Sequence, residues 1–306
     1  MGLGTTIANK LLRKAEKKVK EHHSNSKSNY QGNVNHGQVK DRNAELPPLK
    51  VQIYTHNIRQ ENNNMMKGEE PWSKRKVGVI GLIDKHSQSI PTLVGLQEVK
   101  QNQLNDILQG LGKPWAFFGV GRDDGKSKGE FAPILYKTDE WDLVSGKTYW
   151  LGENPNQPAK GWDAAFPRIV TVVVMKHKKS GKVVNYLNTH YDHKGKKARE
   201  NSSLQIIDLM SKTEGTSLLS GDFNSQEHEE AYQTLSKSLL DTSCNCHERC
   251  GFKDTCTGFE KGGSESSIDF IWTTKGVPIV KHEIIDHECN GSYCSDHRPV
   301  TAIFEV

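Results

Sequence analysis

Along most of the chain, short runs dense in apolar residues alternate with polar stretches. Nine runs, "VQIYTHNI", "TLVGLQEV", "WAFFGVG", "FAPILYK", "RIVTVVVMKH", "VVNYLNTHY", "SLLSGDFN", "SIDFIWTT" and "VTAIFEV", are rich in β-branched or aromatic side chains. Several end near Gly, Asn or Asp, which predicts strands. Helical spacing of apolar positions instead predicts helices over roughly 74–89, 100–111, 196–212 and 228–240. Many strands with a few interposed helices imply sheets packed face to face, with helices on the outside.

The first fifty residues follow another pattern. Wound at about 100° per residue, Ile7, Ala8, Leu11, Leu12, Ala15 and Val19 fall on one arc and Lys10, Arg13, Lys14, Lys17 and Lys20 oppose them, with Lys18 at the edge of the apolar side. Residues 1–21 therefore read as a basic amphipathic helix. Residues 22–45 are nearly free of aliphatic side chains and rich in Ser, Asn, Gly and Gln, the composition of a flexible polar linker. "LPPLK" then opens the folded domain, expected to run over 46–306. Gly2 and Thr6 fit the myristoylation pattern M-G-x-x-x-[ST], and an acyl chain beside a polybasic face supplies the two signals of stable membrane attachment. An anionic membrane surface is thus an expected partner. No run approaches the length of a membrane span and no secretory apolar core follows Met1, so an intracellular, membrane-associated protein is expected.

Charge sharpens this division. The chain of 306 residues carries a net charge of +4. Residues 1–50 hold ten Lys/Arg against four Asp/Glu, so the remainder is slightly acidic. A non-specific nucleic-acid binder is expected to carry its positive excess on the binding domain, and this one does not.

Candidate chemistry lies at the strand ends. Asn57, Glu98, His190, Asp222, Asn224, Asp269, Asp296 and His297 each stand where an apolar run begins or stops. One Asp or Asn in such a place is most often a turn or cap residue; eight in series point to a shared rim. Three carboxylates, Glu98, Asp222 and Asp296, with Asn57 and Asn224 form an oxygen-rich, sulfur-free set suited to Mg²⁺ or Mn²⁺ rather than Zn²⁺. Two histidines with an acid partner add what metal-assisted phosphate hydrolysis still requires, donors to phosphoryl oxygens and a group that orients water. Arg122 in "GRDDG" and Arg168 in "PRIV" are candidates for substrate phosphate or for ion pairs. Asp192 and His193 of "THYDH" read as supporting residues, and Trp162 and Asp163 of "GWDAA" as pocket walls or core.

In this order, "THNIR", "LQEV", "NTHYDH", "GDFN", "IDFIW" and "SDHRPV" resemble the endonuclease/exonuclease/phosphatase superfamily with the deoxyribonuclease I-like fold, over about Val51 to Val306. "GVGRDDG" and "GWDAAFPR" look like a microbial-type branch. The resemblance implies a four-layer α/β sandwich, two packed mainly antiparallel sheets flanked by helices, with the site at one end. By position it assigns Glu98 as main metal ligand with Asn57 close by and Asp296 near the metal. It makes Asp222 the base or water-positioning group with Asn224 beside it, His190 a phosphate donor, and Asp269 the partner orienting His297. The expected activity is hydrolysis of phosphate esters, as phosphodiesterase or phosphatase, on a lipid or an inositol or sugar phosphate. A nuclease acting on DNA or RNA is the alternative, and a non-catalytic binding module is disfavoured because none of the key residues is missing.

All six cysteines lie between Cys244 and Cys294: Cys244, Cys246, Cys250, Cys256, Cys289 and Cys294. Their Cys-x-Cys-x₃-Cys start is not a standard finger spacing. Free thiols come first, disulfides second and a structural zinc last among the readings.

Overall fold

The structure, a computed structural model, describes residues 46–289 and 291–306. The amphipathic segment 1–21, with its myristoylation pattern, and the linker 22–45 lie outside the described residues. Among the described residues no helix is long and apolar enough to cross a membrane.

Strands β1 (Lys50–Asn57), β2 (Thr92–Gln97), β3 (Trp115–Phe118), β4 (Ile134–Lys137), β10 (Glu248–Gly251), β12 (Ile279–Ile284) and β15 (Val300–Glu305) form one sheet in the order β10-β12-β15-β1-β2-β4-β3. A second sheet has the order β5-β6-β7-β8-β11-β9, from β5 (Trp141–Trp150), β6 (Ile169–His177), β7 (Val183–His190), β8 (Ser217–Asp222), β11 (Asp269–Thr274) and β9 (Leu239–Asp241). A small hairpin, β13 (Glu288–Cys289) and β14 (Ser292–Tyr293), stands apart. Helices α1 (Trp72–His86) and α2 (Gln101–Leu111) cover the first sheet, while α3 (Lys196–Ser211) and α4 (Glu230–Ser236) cover the second. A one-turn helix, α5 (Thr242–Asn245), follows β9. The expected sandwich of two mainly antiparallel sheets with flanking helices is what forms.

Alternation explains the layers. Along β1, Val51 and Ile53 enter the core between the sheets with Val173, Val184, Tyr186, Leu218 and Ile271, while Tyr54 turns to the helices and meets Val79, Ile83, Leu104 and Ile107. On the far side, Leu187, Leu219 and Trp272 pack against Ile206, Met210 and Leu235. Interior strands are therefore buried on both faces, which is why they read as near-continuous apolar runs. The sheets approach closely at Gly95, where an added Cβ would stand 2.3 Å from the Tyr186 hydroxyl and 2.6 Å from Asn188 Oδ1. There Gln97 Nε2 donates to Asn188 Oδ1 at 2.7 Å, tying one sheet to the other.

Two sequence expectations need correction. The helix expected over 228–240 stops at Ser236, and Leu239–Asp241 adds a strand to the edge of the second sheet. The ten-residue β5 was not expected at all: it is an edge strand whose middle is exposed, with a register shift between Leu143 and Ser145, so its apolar alternation is broken by Ser-Gly-Lys. Strands β9, β10 and β12 were missed for a similar reason, being short or carrying polar positions throughout.

Topology fixes the rim. β1 and β2 are parallel, as are β7 and β8, so Asn57, Glu98, His190 and Asp222 leave their strands at the same end. β11 runs antiparallel to β8 with Asp269 opposite Asp222, and β15 runs antiparallel to β1. Asp269, which begins β11, and the Asp296-His297 pair, which precedes β15, thus arrive at that end too. β15 is an interior strand of its sheet, which accounts for reactive side chains so late in the chain.

Candidate active site

Asp222 is the hub. Its Oδ2 accepts from Asn57 Nδ2 at 2.9 Å and its Oδ1 from the Asn224 backbone N–H at 2.9 Å. His190 Nε2 lies 3.5 Å from Asp222 Oδ2 on one side and His297 Nε2 3.9 Å from it on the other. Two groups of possible ligand atoms converge here, each within 4.8 Å: Glu98 with His190 and Asp222, and Asp222 with Asp269 and His297. Asp222 belongs to both.

The two imidazoles are held in opposite states. Burial, followed by the positive charge of Arg168, pushes His190 down to about 3, so it is neutral at physiological pH. Arg168 Nη1 donates to His190 Nδ1 at 3.0 Å, which leaves the ring proton on Nε2, 3.5 Å from Asp222 Oδ2. Burial would lower His297 as well, but the Asp269 charge and a 2.8 Å hydrogen bond from Nδ1 to Asp269 Oδ2 raise it well above the ordinary histidine value. A neutral N–H donor and an imidazolium thus flank one carboxylate.

Glu98 follows β2. Its Oε1 accepts from Asn57 Nδ2 at 3.1 Å and its Oε2 from the Gln60 backbone at 3.1 Å. Burial and the Glu130 charge push its carboxyl up, yet His190 and the Asn57 and Gln60 hydrogen bonds bring it below the usual carboxylate range. Asp296 is buried, and the hydrogen bond to its carboxylate is a 3.4 Å contact from the Ser295 hydroxyl. Burial raises its pKa, with the Glu98 charge adding to the rise against the pull of His297. Asp296 belongs to neither converging group but lies beside one. Glu98 and Asp222 bring carboxylate oxygens within 4.8 Å of one another and of His190, with Asp296 nearby. That fits a small hard cation held largely by oxygen. Asn57 spans Glu98 and Asp222 through its nitrogen, while its oxygen accepts from the Arg59 backbone at 3.0 Å. It holds the carboxylates in place.

Backbone strain concentrates here. Of the four non-glycine residues with positive φ among the described residues, three lie at the site: Arg59 (56°), Glu98 (59°) and Asn224 (46°), with Trp162 (49°) the fourth. Such conformations cost about 1–3 kcal/mol each and persist where the surroundings enforce them. Close approach also demands Gly221, where a Cβ would lie 2.1 Å from the Thr189 carbonyl.

The two arginines are buried and engaged by protein groups. Arg168 spans His190, His193 (3.2 Å) and Asp192 (3.4 Å), and Arg122 donates to Glu130 at 2.7 Å while lying over the Phe166 ring. Asp192 accepts from the Lys194 and Gly195 backbones and supports Arg168 from below. Asp163 accepts from the Lys197 and Ala198 N–H groups, capping α3 from outside the helix, so its role is structural. Sequence reasoning missed Glu130, whose Oε2 sits 3.6 Å from His190 Nδ1 and 3.8 Å from Arg168 Nη1. It also missed Arg59, 3.8 Å from Glu98, and Ser295, whose hydroxyl donates to the Asn57 carbonyl at 2.6 Å. Glu130 carried a usable signal, since it immediately precedes "FAPILYK" just as the recognised residues border their own runs.

The six cysteines carry free thiols, the first of the three readings, and neither converging group of described residues includes one.

Two stacked sheets that gather buried carboxylates and two imidazoles at one end define a hydrolase of the phosphoester-cleaving class. The chain belongs to the endonuclease/exonuclease/phosphatase family, matching it over residues 33–297. It is similar to solved family proteins from Bacteroides thetaiotaomicron (31% identity, TM-score 0.80, covering 85% of this chain and 98% of that one) and Bacteroides vulgatus (34%, 0.79, 84% and 99%). It is also similar to a Bacteroides thetaiotaomicron mannosyl-6-phosphatase, at 30% identity and TM-score 0.77 over 83% of this chain and 99% of that one. No curated protein matches the chain.

Proposed function

We propose that the protein is a Mg²⁺- or Mn²⁺-dependent hydrolase of small phosphate esters, acting as a phosphatase on a sugar-type phosphate. The observation that carries this reading is Asp222 between a neutral and a charged histidine, beside the Glu98 carboxylate. The mannosyl-6-phosphatase relative supports the choice of a sugar phosphate. The slightly acidic main body weighs against a nuclease.

In this reading Glu98 and Asp296, braced by Asn57, hold the cation, which when bound offsets charge on the phosphoryl oxygens. Asp222 orients the attacking water, with Asn224 fixing its carboxylate. His190 donates its Nε2 proton to a phosphoryl oxygen, and His297 does so from the opposite side in its charged form, kept charged by Asp269. Arg168, Glu130 and Asp192 hold the His190 tautomer, as groups behind a catalytic imidazole commonly do. Arg122 and Arg168 supply positive potential toward the phosphate.

A substrate panel tests the proposal: hexose 6-phosphates, inositol phosphates, a phospholipid headgroup ester, and single-stranded DNA and RNA, each with Mg²⁺ or Mn²⁺. Fastest turnover on a phosphomonoester of a polyol is expected. Preference for either nucleic acid by tenfold or more would overturn it in favour of a nuclease.

A further inference from the structure

Next to the catalytic rim, the loop between β1 and α1 borders an open pocket of about 240 Å³, lined by Glu61, Asn62, Asn63, Met65, Glu69, Trp72 and Arg75. It adjoins the Glu98 side of the site. The Gln60 backbone, one residue before the wall at Glu61, donates to Glu98 Oε2. The Arg59 guanidinium reaches from Glu98 (3.8 Å) to Glu69 (3.7 Å), so one guanidinium separates the metal-binding carboxylate from the cavity wall.

The loop is anchored to the body of the fold. Gln103 on α2 accepts from the Glu61 backbone at 3.1 Å and donates to the Arg59 carbonyl at 3.1 Å, while Asn102 donates to the Glu61 carboxylate. Arg75 donates to the carbonyls of Ile58, Arg59 and Cys294, and Trp72 Nε1 donates to Asp106. A wall fastened at so many points to the same residues that carry the site can position a ligand against it.

The charged members are spent on one another. Arg75 pairs with Glu69 at 3.5 Å, both side chains almost wholly buried, and Glu69 also accepts from the Met66 backbone at 2.8 Å. What remains on offer is uncharged or acidic. Asn63 makes no side-chain hydrogen bond among the described residues, Asn62 uses only its nitrogen, on the Gln60 carbonyl at 3.3 Å, and the exposed Met65 adds apolar surface. Glu69 is offset by Arg75 and Arg59, but Glu61 has no ion-pair partner among the described residues, so a second phosphate would meet its unopposed charge. Amides with hydrogen-bonding capacity to spare suit hydroxyl groups on a carbon ring, which both donate and accept.

We infer that this cavity is the subsite for the uncharged, hydroxylated part of the substrate, with Asn62 and Asn63 as the residues that read its hydroxyls. The inference rests on the phosphoester reading of the rim. It restricts the substrate to a monophosphorylated polyol or sugar and excludes a polyphosphorylated one.

The test compares two substrates of the full chain with Mn²⁺ in excess: a hexose 6-phosphate, and p-nitrophenyl phosphate, whose leaving group has no hydroxyl beyond the ester oxygen. Asn62→Ala with Asn63→Ala should raise KM for the hexose phosphate about tenfold, the loss of roughly two modest hydrogen bonds. Its kcat, and both constants for the aryl phosphate, should stay within about twofold. A hexose bisphosphate phosphorylated at both ends should be the poorer substrate of the unmodified protein. Equal changes on both substrates, no change on either, or preference for the bisphosphate would overturn the inference. Absence of turnover on both substrates by the unmodified protein would overturn the phosphoester reading itself, an outcome separate from the others.

Discussion

Replacing Asp269 by Asn keeps the shape of the side chain and removes its charge, so it isolates what that acid does for His297. Both residues are about 95% buried, and Nδ1 and Oδ2 are 2.8 Å apart. An opposite charge at this range moves a pKa by about 1–3 units, or roughly 1.4–4 kcal/mol in favour of the imidazolium. Burial acts in the other direction, so removing the Asp269 charge lowers the His297 pKa and leaves the ring free to take the wrong tautomer. A positioned proton donor contributes about 10²–10⁴ in rate, and a loss of that order in kcat/KM is expected for Asp269→Asn. Because the two residues act as a unit, Asp269→Asn combined with His297→Ala should lose little beyond the worse single variant. The assay is kcat/KM on p-nitrophenyl phosphate across pH 5–9, with circular dichroism as the control for folding. Strictly additive losses, or a single-variant effect under about threefold, would refute the pairing as a catalytic unit.

The remaining predictions concern stability and location. His56 and His190 are each lowered to about 3 by burial first, so the unfolded chain takes up their protons near pH 6.5 while the folded chain does not. Their contribution is therefore complete above pH 6.5 and is lost as pH falls toward 3, at about 1.4 kcal/mol per pH unit for each. Urea midpoints that do not change from pH 7 to pH 5 would contradict this. Gly95→Ala drives a methyl into Tyr186 and Asn188 and should cost about 1–3 kcal/mol; an unchanged melting temperature would mean the sheets are not so closely apposed. The full chain, a Gly2→Ala form and a form beginning at Leu46 should differ in flotation with anionic liposomes, and identical behaviour would rule out membrane attachment by residues 1–21.

The site was legible because its residues border apolar strands, and two pairs of parallel strands with two strands antiparallel to them carry these borders to one end. Asn57, Glu98, His190, Asp222, Asp269 and His297 could be picked out without knowing which strands pair. Their roles in detail were less visible. That Arg168 serves His190 rather than facing solvent depends on a register between β6 and β7 that no local pattern encodes. Asp163 resembled a pocket residue but caps a helix more than thirty positions later in sequence, a contact made only in the folded chain. Glu130 and Arg59 escaped notice because each lies in a loop, one before a short strand and the other after Asn57, where polar residues are ordinary. The long edge strand β5 was hidden for a physical reason as well: an edge strand with an exposed middle has little need of an apolar rhythm.

The central claim is that a cation held at Glu98 enables Asp222 and the two histidines to cleave a phosphate ester. Titration of the full chain with Mn²⁺, followed in parallel by calorimetry and by p-nitrophenyl phosphate turnover, tests it most directly. The account predicts saturable binding whose midpoint coincides with the onset of activity. Activity should vanish in excess chelator, and Glu98→Gln should weaken binding by tenfold or more while the protein remains folded. Full turnover in chelator, or Mn²⁺ binding that Glu98→Gln leaves unchanged, would contradict it.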